Sequence, residues 1–303
     1  MSVISRHAFL TLSASAAVLA ARLAHAQAAV TSKPIPKSGE ALPVIGLGTS
    51  QVFRELGQGE AASDKRAVVQ ALVDGGGSLI DTAPSYGDAE NVTGQLLAEL
   101  GLRSKSFVAT KVGSRGKAEG QASLEASFKK LRTDKIDLIQ VHNLVDTATQ
   151  LALLRDLKAA GRIRYTGITH SRPDGQEDLL GVMQSEAVDF VQLNYSVDVR
   201  GPEQRLLPAA RDKGLAVLVN LPFGRGRLIS RMQGKSLPGW AVDIGCTTHA
   251  QLLLKFVVSH PAVTCAIPAT SKIKHMAENL DAGRGFMPDA GLRDKIAKLW
   301  SEA

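Results

Sequence analysis

Aromatic side chains are scarce in this sequence: Phe, Tyr and Trp make up 4% of its 303 residues. With so few, no aromatics interleave with a basic stripe, which excludes the stacking platform on which single-stranded nucleic acid is held. Nor is there much charge of one sign. The formal net charge is +7, with Lys and Arg scattered along the chain, so the basicity is assigned to solvated helix faces and no nucleic-acid partner is expected. Cysteine is limited to Cys246 and Cys265, too few for a disulfide framework. In an oxidising compartment these two can pair, but Cys265 sits in an apolar run that better suits a buried free thiol. There is no low-complexity block and no solenoid repeat. What remains is a globular composition, 44% hydrophobic and 21% charged, at a length normal for a single α/β barrel.

The first residues stand apart from that barrel. Arg6 and His7 form a weakly basic start, Ala8 to Ala21 is apolar, and Ala24-His25-Ala26 is a small-x-small cleavage site. Arg22 ends the apolar run before the ~20 residues that a membrane span requires. The pattern predicts an export signal over residues 1–26 and a mature chain of 27–303, with no stable membrane insertion once the signal is removed. Loss of Arg6 and Arg22 takes the formal charge from +7 to +5. Ser5-Arg6-His7-Ala8-Phe9-Leu10-Thr11 resembles the twin-arginine signal Ser-Arg-Arg-x-Phe-Leu-Lys, with His7 in the place of its second arginine. That resemblance implies a periplasmic protein exported by this route, or a cytoplasmic one if the signal does not function.

After Lys33-Pro34-Ile35-Pro36, eight short apolar runs read as strands: Val44 to Thr49, Leu79 to Thr82, Phe107 to Lys111, Ile136 to His142, Tyr165 to Thr169, Phe190 to Asn194, Leu215 to Asn220 and Val263 to Ile267. Helical spacing falls between them. One helix is expected after Ser63 as N-cap, running through Val73 to Gly75-Gly76-Gly77, and others over Glu90 to Leu100, Leu124 to Leu131, Leu151 to Ala160, Glu177 to Met183, Gln204 to Asp212 and Gln251 to Val258. Strands alternating with helices argue for parallel strands in right-handed crossovers. A count of eight favours closure into a (β/α)8 TIM barrel, which leaves no edge strand. The Gly/Pro-punctuated insertion from Arg225 to Thr248, after the seventh strand, is the expected substrate loop.

In such a barrel the site lies at the C-terminal strand ends. Asp81, Lys111 and His142 interrupt apolar runs at three consecutive strand ends, and Tyr86 follows the second strand by a Pro/Ser/Gly turn. Singly, each has an ordinary explanation: a turn former, a snorkelling lysine, a core histidine, a loop aromatic. Together at one rim they suit proton transfer to a developing alkoxide. Tyrosine titrates near about 10. A neighbouring lysine cation is expected to lower that value, while an aspartate keeps the lysine charged and a histidine polarises the same carbonyl oxygen. The set lacks an electron source, so a reductant must be bound.

From about Leu42 to Asn279 the chain resembles the aldo-keto reductases. Asp81-Thr82-Ala83-Pro84-Ser85-Tyr86-Gly87, Ala109-Thr110-Lys111 and Val141-His142-Asn143 carry the likeness, in order and on the right strands. It implies Tyr86 as proton donor, Asp81 and Lys111 as its electrostatic partners, and His142 as the group that orients a small-molecule carbonyl substrate. It also implies a nicotinamide cofactor lying across the barrel mouth without a Rossmann domain.

The cofactor positions match less uniformly. Thr49 and Ser50 lie at the diphosphate and nicotinamide side, and Gln192 fits the residue that bonds the carboxamide. Thr169-His170 stands where the family usually has Ser-Asn. After the seventh strand comes Asn220-Leu221-Pro222-Phe223, in which Asn220 holds the place of an aromatic that commonly stacks on the nicotinamide. Ser271, Lys272 and Asn279 fit the adenosine-phosphate loop, with His275 in the place of its arginine and Ala269 in that of a lysine. The resemblance favours NADP(H) over NAD(H). A second reading, a nicotinamide-binding sensor or accessory subunit with weak or vestigial activity, is kept open by the missing aromatic and the export signal. A barrel hydrolase or lyase would need a metal triad or a carboxylate pair, and neither is found.

Overall fold

A computed structural model of the chain describes residues 28–302; the expected export signal, residues 1–26, lies outside them. The described chain opens with an antiparallel hairpin that the sequence pattern did not reveal, β1 (Ser32–Pro34) and β2 (Ala41–Pro43). Eight parallel strands then pair in chain order: β3 (Leu47–Gly48), β4 (Leu79–Asp81), β5 (Phe107–Val112), β6 (Ile136–His142), β7 (Ile163–His170), β8 (Phe190–Asn194), β9 (Ala216–Asn220) and β10 (Cys265–Ala266).

The barrel closes between its first and last strands. Gly46 N donates to Ala266 O at 2.8 Å, Ala266 N to Val44 O at 2.9 Å, and Gly48 N to Pro268 O at 3.1 Å. Regular strand is shortest at this seam, two residues on each side, where the sequence predicted longer runs. The two glycines show why. A Cβ on Gly46 would lie 2.8 Å from Leu79 O and one on Gly48 2.7 Å from Ile267 O, so the backbones approach closer than any side chain permits.

Period-two alternation sends one set of residues into the barrel. Leu79, Phe107, Ala109, Leu138, Tyr165, Phe190 and Leu218 form an inner apolar cluster with Ile35 and Leu42 of the hairpin segment. Three of the scarce aromatics meet here: the Phe107, Tyr165 and Phe190 rings lie at centroid distances of 5.3 to 5.9 Å. Because these residues lie toward the N-terminal ends of their strands, the hairpin plugs the N-terminal mouth and leaves the C-terminal mouth open.

The outward residues pack against helices α1 (Glu60–Asp74), α2 (Ala89–Glu99), α3 (Lys117–Lys130), α4 (Thr147–Ala159), α5 (Gln176–Ser185), α6 (Leu206–Asp212) and α8 (His249–Val258). The short α7 (Arg227–Arg231) lies within the expected substrate loop, and α9 (Ile273–Ala282) and α10 (Ala290–Ser301) follow β10. The first helix begins at Glu60 after Gly59, ahead of the predicted Ser63 cap, and Gly75 ends it as expected. Helix α8 starts with a reciprocal cap: Gln251 N donates to Thr248 Oγ1 and Thr248 N to Gln251 Oε1, both at 3.2 Å. Cys246 and Cys265 are both buried and unpaired, and burial pushes the Cys246 thiol up to about 12. No described helix is long and apolar enough to cross a membrane.

Candidate active site

The alternation that builds the apolar floor places polar residues above it. Asp81 follows Leu79 on the inner side of β4, Lys111 follows Ala109 on β5, and His142 lies beyond Leu138 on β6. Register aligns them, with Asp81 beside Ala109, Lys111 beside Gln140 and His142 beside Thr169. Lys111 Nζ donates to Asp81 Oδ1 at 2.8 Å, to Asp81 Oδ2 at 2.7 Å and to Thr82 O at 2.8 Å. Burial alone would favour the neutral amine. The Asp81 carboxylate, then the Tyr86 phenol, more than offset it and hold the Lys111 ammonium above its ordinary range.

Tyr86 is brought over this pair by a tight turn: Tyr86 N donates to Ala83 O at 3.1 Å. Gly87, at φ 67°, takes the left-handed conformation that lets the turn lie against the Arg54 backbone, where a Cβ would sit 3.1 Å from Arg54 O. The Tyr86 ring centroid is 5.0 Å from Lys111 Nζ and 6.0 Å from the His142 ring, which it meets edge-on at 84°. The lysine does not win the contest over the phenol that the sequence reading assigned to it. Burial is the larger effect and raises the Tyr86 pKa above its ordinary value, while Lys111 lowers it and the Asp81 charge offsets part of that pull. The phenol therefore keeps its proton across the neutral range.

His142 is neutral there too. Burial, then the positive charges of Lys111 and His170, bring its pKa down to about 4. The backbone just past it is strained, with Asn143, Leu144 and Asp146 at φ 51°, 56° and 48°. The Asp146 carboxylate ties this loop down by accepting from Gly116 N at 2.8 Å.

Two glutamines complete the polar layer. Gln192 Nε2 donates to Asp81 Oδ1 at 2.8 Å, and Gln192 Oε1 accepts from the Thr169 hydroxyl at 3.2 Å and from Asn220 Nδ2 at 3.4 Å. Gln140, which the sequence reading missed, directs Nε2 toward Asp81 Oδ1 at 3.5 Å. Its signal was available in the inward parity of Leu138, Gln140 and His142. Gly167 makes room for it, since a Cβ there would lie 3.0 Å from Gln140 Cγ.

A cavity of about 820 Å³ opens above these residues. Of the residues expected at the site, Thr49, Ser50, Asp81, Tyr86, His142, Thr169, Gln192, Asn220, Leu221, His275 and Asn279 line it, and Lys111 lies directly behind Asp81. Three others fall outside the lining. The His170 ring accepts from Arg172 N at 3.3 Å within its own loop, and Ser171 faces the cavity instead. Lys272 Nζ is paired with Asp64 at 2.6 Å, and Ser271 precedes it outside the lining. The substrate-loop expectation places Arg225, Gly226, Ile229 and Ser230 on the wall; Arg54, Phe223 and Glu278 join them without having been foreseen. His275 and Asn279 lie on helix α9, in a segment read from sequence as a loop.

A second cavity, of about 750 Å³, lies at the opposite end of the barrel, around Glu40, Arg103, Asp137 and Arg164. Asp137 there accepts from Arg164 at 2.9 Å and pairs with Arg103 at 3.0 Å. Among the described residues no group of three His, Cys, Asp or Glu side chains could hold a metal ion.

An eight-stranded parallel barrel with Asp, Lys, His and Tyr at one mouth is the arrangement of a carbonyl-reducing barrel enzyme, and the chain belongs to the aldo/keto reductase family, whose profile matches residues 44–289. Among curated proteins it is 33% identical over 259 residues to the methylglyoxal reductase YeaE of Escherichia coli, covering 82% of this chain and 88% of that one. It is 30% identical over 203 residues to the aldo-keto reductase YhdN of Bacillus subtilis, covering 62% and 60% respectively. Among solved structures, an aldo-keto reductase from Klebsiella pneumoniae in complex with NADPH superposes with a TM-score of 0.76 at 27% identity, covering 89% of this chain and 95% of that one.

Proposed function

We propose that the chain reduces an aldehyde or ketone with NADPH, and that Tyr86 delivers the proton to the carbonyl oxygen. The observation that carries this reading is the convergence of Tyr86, the buried Lys111–Asp81 pair and His142 on one cavity. Reduction needs a hydride at the carbonyl carbon and a proton at its oxygen. A reduced nicotinamide, when bound, would supply the hydride. Tyr86 keeps a proton ready because burial holds its pKa high, and the Lys111 ammonium stabilises the phenolate left after transfer. Neutral His142 can donate a hydrogen bond to the same oxygen without bringing a competing charge.

The cavity fits a dinucleotide. Asn220 Oδ1 is shut off from solvent without a partner, Thr49 and Ser50 lie on one wall, and His275 and Asn279 lie where helix α9 begins and ends its first turns. Lys272 is held by an exposed pair with Asp64, the kind that exchanges readily, and can turn to a phosphate beside that helix N-terminus. The Klebsiella structures with NADPH and with NADP favour NADP(H) as the cofactor. The test is NADPH and NADH oxidation by the purified protein with methylglyoxal and a panel of aldehydes and ketones. Tight cofactor binding with no turnover across the panel would instead favour a sensor or accessory subunit.

We also propose export of the folded protein by the twin-arginine route, since an exported reductase must leave with its cofactor bound. Fractionation of cells producing the intact chain and His7→Arg is the test. Retention of both in the cytoplasm would overturn it.

A further inference from the structure

The orientation of one amide at the cavity wall is dictated by the ion pair below it. Asp81, held by the Lys111 ammonium, can only accept hydrogen bonds. Gln192 must therefore present its NH2 to Asp81, as it does at 2.8 Å, and turn its carbonyl oxygen away. That oxygen in turn draws the NH2 of Asn220, at 3.4 Å, and the hydroxyl of Thr169, at 3.2 Å. That contact turns the Asn220 NH2 toward Gln192 and leaves Oδ1 as its unmatched acceptor, an atom shielded from solvent with no hydrogen-bond partner. Gln140 Oε1 is also unpartnered, but Gln140 is fully buried away from the cavity, whereas Asn220 lines it.

Leaving a buried acceptor unmatched is costly, and at a cavity wall a donor carried by a ligand can supply the missing partner. A carbonyl substrate cannot be that ligand through its reacting group, because an aldehyde or ketone oxygen is itself an acceptor. A primary carboxamide can. We propose that Asn220 is a positioning residue for the cofactor, its Oδ1 accepting a hydrogen bond from the carboxamide NH2 of the nicotinamide ring. The proposal rests on the cofactor reading above. On this proposal the chain would hold the ring through its carboxamide, from the end of β9.

The test compares equilibrium binding of NADP⁺ with that of its acetylpyridine analogue, in which a methyl group replaces the carboxamide NH2. Binding is measured by calorimetry on the wild type, Asn220→Ala and Asn220→Leu, with circular dichroism reporting the fold. The wild type is expected to prefer NADP⁺ by about tenfold, the scale of one hydrogen bond. Both variants are expected to bind the two dinucleotides about equally, with affinity for the analogue little changed. Wild-type-like discrimination in a folded variant, or none in the wild type, overturns the role of Asn220. If neither dinucleotide binds the wild type, the cofactor reading itself fails.

Discussion

Lys111 reaches both carboxylate oxygens of Asp81, at 2.8 and 2.7 Å, and each residue is at most 3% exposed. Neither charge is tolerable in that place without the other. Lys111→Met leaves Asp81 as a buried uncompensated carboxylate and is expected to cost about 3–5 kcal/mol of stability. The double variant Asp81→Asn, Lys111→Met should recover part of that loss while remaining inactive. Urea denaturation of the two variants checks this, and equal losses in both would show that the pair is not coupled.

Tyr86→Phe removes one hydroxyl from a half-buried ring and leaves its apolar contacts in place. The carbonyl-reducing rate constant should fall by about 10²–10⁴, the usual span for loss of a general acid. NADP⁺ affinity and unfolding midpoint should stay close to wild type. Undiminished turnover would remove Tyr86 from the mechanism.

The pH profile follows from two displaced groups. His142 is protonated only as pH falls toward about 4, so no step in kcat/KM for reduction is expected near its ordinary 6.5. Tyr86 must be protonated to act and its pKa is raised, so the rate should hold through neutrality and decline only above pH 10. The same shift sets a stability slope. Because the folded His142 pKa lies below its unfolded value, its contribution is complete above about 6.5 and is lost as pH falls toward 4. Denaturation of wild type and His142→Gln at pH 4.5 and 7 should show the gap between them changing in that direction.

At the barrel seam, Gly48→Ala would place a methyl group 2.7 Å from the Ile267 carbonyl oxygen, a backbone atom that cannot swing away. The expected cost is about 1–3 kcal/mol, typical of overpacking. Cofactor affinity should fall as well, since Thr49 and Ser50 follow directly on the cavity wall. A midpoint unchanged in thermal unfolding would contradict the tight seam.

The strand count and the four residues of the rim were legible because alternation and strand-end polarity are local properties. Asp81, Lys111 and His142 each break an apolar run of their own strand, and no partner is needed to notice them. The hairpin was not legible, since Ser32–Pro34 and Ala41–Pro43 gain their meaning only by covering the inner cluster through Ile35 and Leu42. Gln140 was hidden by an uncharged side chain in the middle of its strand. The direction of the Tyr86 pKa is not legible, because the sequence shows which charges are neighbours and gives no measure of desolvation. His170 follows Thr169 on β7 as the motif suggests, but the loop beyond it supplies a backbone N–H that captures the ring.

The succession from Lys111 through Asp81 and Gln192 to Asn220 gives the site a polarity with a beginning and an end. Each amide faces as it does because of the group before it, so the sign of a charge below the floor leaves Asn220 Oδ1 as the unmatched atom. Redesign at this mouth therefore has to proceed in that order. Replacing Asp81 by a neutral side chain would release Gln192 to turn over, and the change would surface two residues away as a donor where the wild type has an acceptor.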